Sequence, residues 1–259
     1  LQPDIVKSTW RHHRAAIAFY LEHHHHSPEA VTAVKKLDNQ NCKKESVNTS
    51  ALKQKKLSEQ DIDLISSKLN GVKNLWDGLL QCWLDASIIT GMRPSEWETA
   101  LLRGDFLIVQ NAKNTNGRCF GEVRDLNLSN LDEDSYEAIE KFLQLLQRAL
   151  QEYDGNFERI YTACRQRLRR ITVRLWSPKK KHPTLYSGRH QFAADMKNTF
   201  TKKEIAALMG HGTDATATEH YGKKRYGTHK ENHILPDPNQ VDLVRETGIG
   251  VKKELKITK

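Results

Sequence analysis

Four short segments of this 259-residue chain hold the side chains best suited to handling an oxyanion. They are Gly91 to Trp97 (GMRPSEW), Asn111 to Arg118 (NAKNTNGR), Leu185 to Ala193 (LYSGRHQFA) and Leu208 to Gly222 (LMGHGTDATATEHYG). Arg93 and Arg189 bring permanently charged planar forks that match phosphate or carboxylate oxygens. Lys113 adds a point cation, His211 an imidazole, and Tyr221 a phenol. A side-chain oxygen that attacks phosphorus keeps the energy of the broken bond in a covalent phosphoester, whereas attack by water discards it. A phenol with a pKa near 10 must lose its proton during such an attack, and the charge that gathers on the phosphate needs fixed cations to meet it. Taken singly, Arg93, Arg189 and Lys113 read as phosphate contacts or surface charge, His211 as a helix end and Tyr221 as a packing tyrosine.

The charge pattern points the same way. Net charge is +9, and the stretch from Arg159 to Arg225 alone holds 16 Lys and Arg against Asp195, Glu204, Asp214 and Glu219, so the rest of the chain is net acidic. Such asymmetry predicts one electropositive face for a polyanion, nucleic acid above all. At 37% hydrophobic and 28% charged residues, with no run near the roughly 18 apolar residues of a membrane span, the composition predicts a soluble chain with no membrane partner. The length fits one or two domains. Cys42, Cys82, Cys119 and Cys164 are widely spaced without a C-x-x-C, as expected of reduced thiols in the cytoplasm. No secretory signal is visible, and a start at Leu1 reads as a fragment with upstream residues missing. Four consecutive histidines, His23 to His26, lack the accompanying ligands of a metal site and read as a solvated cluster.

The elements that must position these residues follow from periodicity. A first helix capped by Ser8 runs through Trp10, Ile17 and Leu21 to the histidine run, followed by a polar linker from Asp38 to Ser50. Ser58 predicts the cap of a second helix, with Asp61 an imperfect capping-box partner, and a buried helix spans Val72 to Thr90 and stops at Gly91. Phe106 to Val109 and Cys119 to Val123 predict a β-hairpin around an NTNG turn. Helices are expected from about Asp132, over Phe157 to Trp176, Ser187 to Asn198, Lys202 to Met209 and Thr213 to Tyr221, and Lys230 to Lys259 reads as an extended arm.

From about Lys53 to Lys224, the four segments together resemble the tyrosine recombinase (phage integrase) family. The resemblance implies a mainly α fold with a small antiparallel β-sheet: residues 1–50 as part of a helical core-binding segment, 53–229 as the catalytic domain and 230–259 as a C-terminal arm. It implies Tyr221 as the nucleophile, Arg93 and Arg189 as the phosphate clamp, and Lys113 as the acid that protonates the departing 5′-oxygen. His211 would bond the phosphate or assist the tyrosine, and Glu96 would orient the site. The family's usual His-x-x-Arg is here Tyr186-Ser187-Gly188-Arg189, so Tyr186 is carried over as a hydrogen-bonding residue only.

The implied activity is cleavage and rejoining of double-stranded DNA through a 3′-phosphotyrosyl intermediate, in mobile-element integration or excision. It needs no metal or cofactor. Four protomers would assemble on paired sites, with accessory DNA-bending proteins and with the arm packing on a neighbour through Val241, Leu243, Val244, Ile249 and Val251. The enzyme would be cytoplasmic and nucleoid-associated when bound to DNA. Two alternatives share these residues. A type IB topoisomerase-like enzyme would relax DNA as a monomer, and a non-catalytic regulator would bind DNA without forming an adduct.

Overall fold

The computed structural model describes residues 2–24, 27–43, 54–69, 75–112, 114, 118–176, 181–216, 221–229 and 231–247. The chain divides into two compact units, Leu1–Leu52 and Lys53–Lys259. In the first, α1 (Lys7–His23) packs against α2 (Pro28–Lys36), burying Trp10, Ala18 and Val31. No side chain caps α1, which starts after Val6, so Ser8 lies inside its first turn. The helix α2 lies in a stretch for which no element was expected. Ser27 starts it, accepting from the Ala30 amide, and Pro28 follows with its φ already helical.

The second unit is mainly α with a small antiparallel sheet. Ser58 caps α3 (Glu59–Ser66) and, contrary to the expectation of a poor partner, Asp61 completes a capping box by accepting from the Ser58 amide at 3.2 Å. At the centre lies α4 (Leu75–Thr90), with Leu79, Leu80, Trp83 and Leu84 all fully buried. Around it pack α5 (Glu133–Glu152), α6 (Phe157–Leu175) and α7 (Ser187–Met196). Trp83 meets Phe142 of α5 and Phe157 of α6 with ring centroids 5.3 and 5.9 Å apart. A carboxylate buried on α4, Asp77, is neutralised by a two-pronged pair with Arg167 at 2.7 and 2.9 Å. One face of α6 buries Ile160, Cys164, Leu168 and Ile171, while Arg165, Arg169, Arg170 and Arg174 stand in solvent on the other. The outer face of α6 is thus positively charged.

Strands β1 (Leu101–Arg103), β2 (Phe106–Gln110) and β3 (Val123–Asn127) form an antiparallel sheet in the order β1-β2-β3. The register pairs Leu107 with Leu126 and Val109 with Arg124, so the return strand lies beyond the Cys119 to Val123 run expected from sequence. Residues 119–122 are a bend. The inward positions of β3 are Arg124 and Leu126, and a buried arginine at an inward position hides the alternation that marks a strand.

The C-terminal residues are not wholly extended. Leu235 bridges to Asn127, Pro238–Leu243 form a short helix, and Arg245 bridges to Thr213. Val244, one of the arm residues expected to reach a neighbour, is buried with Ala206 and Ala207 of α8 (Lys202–Leu208), and Val241 packs beside it. Leu243 is exposed. Ile249 and Val251 lie outside the described residues.

Candidate active site

Two glycines end the helices that deliver the site. Gly91 terminates α4 with φ +63°, and a Cβ there would fall 2.2 Å from the Phe192 ring; two residues later comes Arg93. Gly210 terminates α8, also at φ +63°, and a Cβ would sit 2.2 Å from Asn111 Oδ1; His211 follows directly. Any other residue would be both strained and crowded at these points. The turn before α7 is tied by Ser187, whose hydroxyl donates to the Gln54 carbonyl at 2.6 Å and accepts from the Thr184 amide at 2.8 Å. That turn carries Tyr186, and the first turn of α7 carries Arg189.

These elements bring Arg93, Arg189, His211, Tyr186 and Tyr221 together. The Tyr221 hydroxyl lies 2.9 Å from the Tyr186 hydroxyl and accepts from Arg189 Nε at 3.3 Å. Its ring stands 5.1 Å from those of His211 and His190, with the Arg189 guanidinium 5.2 Å from its centroid. Tyr221 sits at a bend, not in the helix expected to run through it; residues 214–216 are helical. Lys113 lies outside the described residues. Tyr226, the other tyrosine near the expected place, is 40% exposed and takes its hydroxyl bond from Arg225.

Arg189 is fully buried and almost saturated. It donates to the Gly91 carbonyl at 2.5 Å, the Met209 carbonyl at 2.6 Å and His211 Nε2 at 3.0 Å. A guanidinium can only donate, so His211 Nε2 is the acceptor and a neutral His211 ring carries its proton on Nδ1. Burial, with Arg189, Arg93 and Arg124 around it, holds the His211 pKa far below that of a free imidazole, against the pull of Glu96. His211 is therefore a neutral donor and a poor base. Its Nδ1 is buried without a partner among the described residues, as is Arg93 Nε. Two unused donors beside a phenol suit an incoming anion that supplies their acceptors.

Glu96 holds the cations in place. Its carboxylate accepts from the Arg93 amide at 2.8 Å, from Arg93 Nη1 and from Arg124 Nη2 at 2.7 Å, with Arg189 Nη1 3.9 Å away. Burial acts to raise its pKa, but Arg124, Arg189 and Arg93 outweigh that and keep it well below the usual carboxylate range. Arg124 was missed in the sequence. It reaches inward from β3, donating to the Leu208 carbonyl at 3.1 Å and to Asn111 Oδ1, so it joins the hairpin, Glu96 and the end of α8. His190 was also left without a role, and it packs on both phenols. Replacing Glu96 by Ala strands three guanidiniums, two of them fully buried, and is expected to cost about 3–5 kcal/mol in denaturant unfolding. Because the folded carboxyl titrates below its unfolded value, the Glu96 contribution is complete above about pH 4.3 and fades as pH falls further. An unchanged midpoint for Glu96→Ala would mean the arginines are neutralised elsewhere.

No protein-family model matches the chain, and no curated protein is found as a relative. Among solved structures, a lambda integrase dimer bound to a COC′ core site aligns with a TM-score of 0.49 at 15% identity, covering 86% of this chain and 72% of that one. A lambda integrase tetramer bound to a Holliday junction aligns at 0.47 and 16% identity, covering 83% and 58%. XerH site-specific recombinase in a post-cleavage complex with palindromic difH substrate aligns at 0.42 and 14%, covering 70% and 53%. The chain thus spans little more than half the length of the integrase in the tetramer. All three superpositions fall below a TM-score of 0.5, so the function is read from the site's own atoms.

Proposed function

We propose that this protein is a DNA strand transferase of the tyrosine recombinase type, in which Tyr221 attacks a DNA phosphate. The observation that carries the reading is the placement of the Tyr221 hydroxyl against Arg189, beside His211 and under the influence of Arg93. The Tyr221 oxygen forms a bond to phosphorus, the bond to the 5′-oxygen breaks, and a 3′-phosphotyrosyl link remains. Lys113 supplies the proton that the departing 5′-oxygen takes up, and a DNA hydroxyl later displaces the tyrosine to reseal the strand. Arg93 Nε and His211 Nδ1 donate to the non-bridging oxygens, where charge builds in the transition state. The exposed arginines of α6 track the flanking backbone, as phosphate contacts do. The biological setting that fits this chemistry is integration or excision of a mobile element, by protomers assembled on paired DNA sites.

The test is a nicked suicide duplex that releases a short 5′-hydroxyl fragment on cleavage and so prevents religation. The wild-type protein is expected to accumulate a denaturation-resistant protein–DNA adduct on a substrate carrying its own target sequence, equally in the presence of a chelator. DNA that is bound tightly and specifically with no adduct would instead identify a binding protein on the same scaffold.

A further inference from the structure

Tyr186 occupies the place of a residue expected to bond the phosphate, yet its hydroxyl faces the other tyrosine. The two hydroxyls are 2.9 Å apart, and their rings stack with centroids 6.4 Å apart. We propose that Tyr186 activates the nucleophile: it stays protonated and donates its hydroxyl hydrogen to the Tyr221 oxygen, which becomes the phenolate. This rests on Tyr221 being the attacking residue and assigns Tyr186 a duty different from that of a phosphate ligand.

Geometry distinguishes the two phenols. The Tyr221 oxygen receives Arg189 Nε as well as the Tyr186 hydroxyl, so an ionised Tyr221 has two donors aimed at it. Among the described residues, the Tyr186 hydroxyl bonds to Tyr221 alone, and an ionised Tyr186 would gain no donor but that hydroxyl. The charged and titratable groups facing the pair are Arg189 and His190 from α7, His211 after α8, and Arg93 after α4, with Glu96 behind the arginines. His190 is driven down to about 4, first by burial and then by Lys55, Arg189 and Lys197, so near neutral pH it adds no charge. Glu96 is already matched to three arginines. The net field at Tyr221 is positive.

The proton affinities follow. Burial alone would raise Tyr221, but Arg189, the hydrogen bonds from Tyr186 and Arg189, and Arg93 reverse that and hold it below the ordinary phenol range. Tyr186 is pushed up to about 12, chiefly by burial and then by the neighbouring Tyr221, against Arg189. One proton therefore leaves the pair to solvent ahead of attack, from Tyr221, and the second stays on Tyr186. The reactive fraction of Tyr221 grows tenfold per pH unit until its own midpoint is passed.

Carbon-13 labelling at tyrosine Cζ lets each phenol be titrated by NMR in the intact chain, with Tyr221→Phe and Tyr186→Phe giving the assignments. In the wild type, Tyr221 is expected to ionise below pH 10 and Tyr186 to ionise last of the two. In Tyr186→Phe, the Tyr221 midpoint should rise by about one to two units, the size of one hydrogen bond to a charged oxygen. Suicide-substrate cleavage should then slow about 10- to 100-fold near pH 7.5, with the deficit narrowing once pH exceeds the wild-type Tyr221 midpoint. A deficit equal at every pH, with weakened DNA binding, would make Tyr186 a phosphate ligand and overturn the proposal, as would Tyr186 ionising first. Failure of the wild type to form any adduct on its target would remove the underlying reading instead, and the NMR titration would still report on the pair.

Discussion

Tyr221→Phe is expected to abolish the covalent protein–DNA adduct while leaving DNA affinity within about twofold. The phenyl ring keeps its packing against His211 and His190, and only the oxygen that would attack phosphorus is lost. Suicide-substrate trapping and a gel-shift titration on the same duplex separate the two effects. A residual adduct would point first to Tyr186, whose oxygen lies 2.9 Å from the vacated position, and not to Tyr226, which is exposed and bonded to Arg225. Loss of adduct together with a large loss of binding would mean that the hydroxyl serves binding and not chemistry.

Arg189→Met is expected to slow cleavage by at least about 10²- to 10³-fold, the effect of removing one preorganised donor from a developing oxyanion. The true figure should exceed this, since Arg189 also holds the Tyr221 oxygen and its charge is the foremost of the influences that lower that phenol's proton affinity. Arg189→Lys should recover little of the rate. One ammonium cannot reach the Gly91 and Met209 carbonyls, His211 Nε2 and the Tyr221 oxygen at once, whereas the fork does. Glu96 keeps Arg93 and Arg124 as partners in both variants, so the folded state should survive. The measurement is single-turnover cleavage, with thermal unfolding as the folding control. A lysine variant within a few-fold of wild type would reduce Arg189 to a simple positive charge.

The helical frame was largely legible in the sequence because its signals are local. Apolar spacing marked α4 to α6, and Gly91 and Gly210 marked the helix ends that release Arg93 and His211 into one cleft. Signals that depend on distant partners were not legible. The return strand was placed too early because its inward Arg124 mimics an exposed position, and the Glu96 that neutralises it lies far back in the chain. Tyr186 read only as a hydrogen-bonding residue because its position before Arg189 was visible and its 2.9 Å approach to Tyr221 was not. The helix α2 was missed where a short apolar stripe follows the histidine run. The arm read as reaching a neighbour because the surface that buries Val244 within the chain, formed by Ala206 and Ala207, consists of residues too small to announce a docking site.

Mass mapping of the trapped adduct tests the central claim most directly. After nuclease trimming and tryptic digestion, the residual nucleotide should sit on the peptide containing Tyr221, linked through phosphorus to its phenolic oxygen, with a 5′-hydroxyl on the released strand. A nucleotide found on any other residue, or a free 5′-phosphate at the break with no modified peptide, would contradict the account.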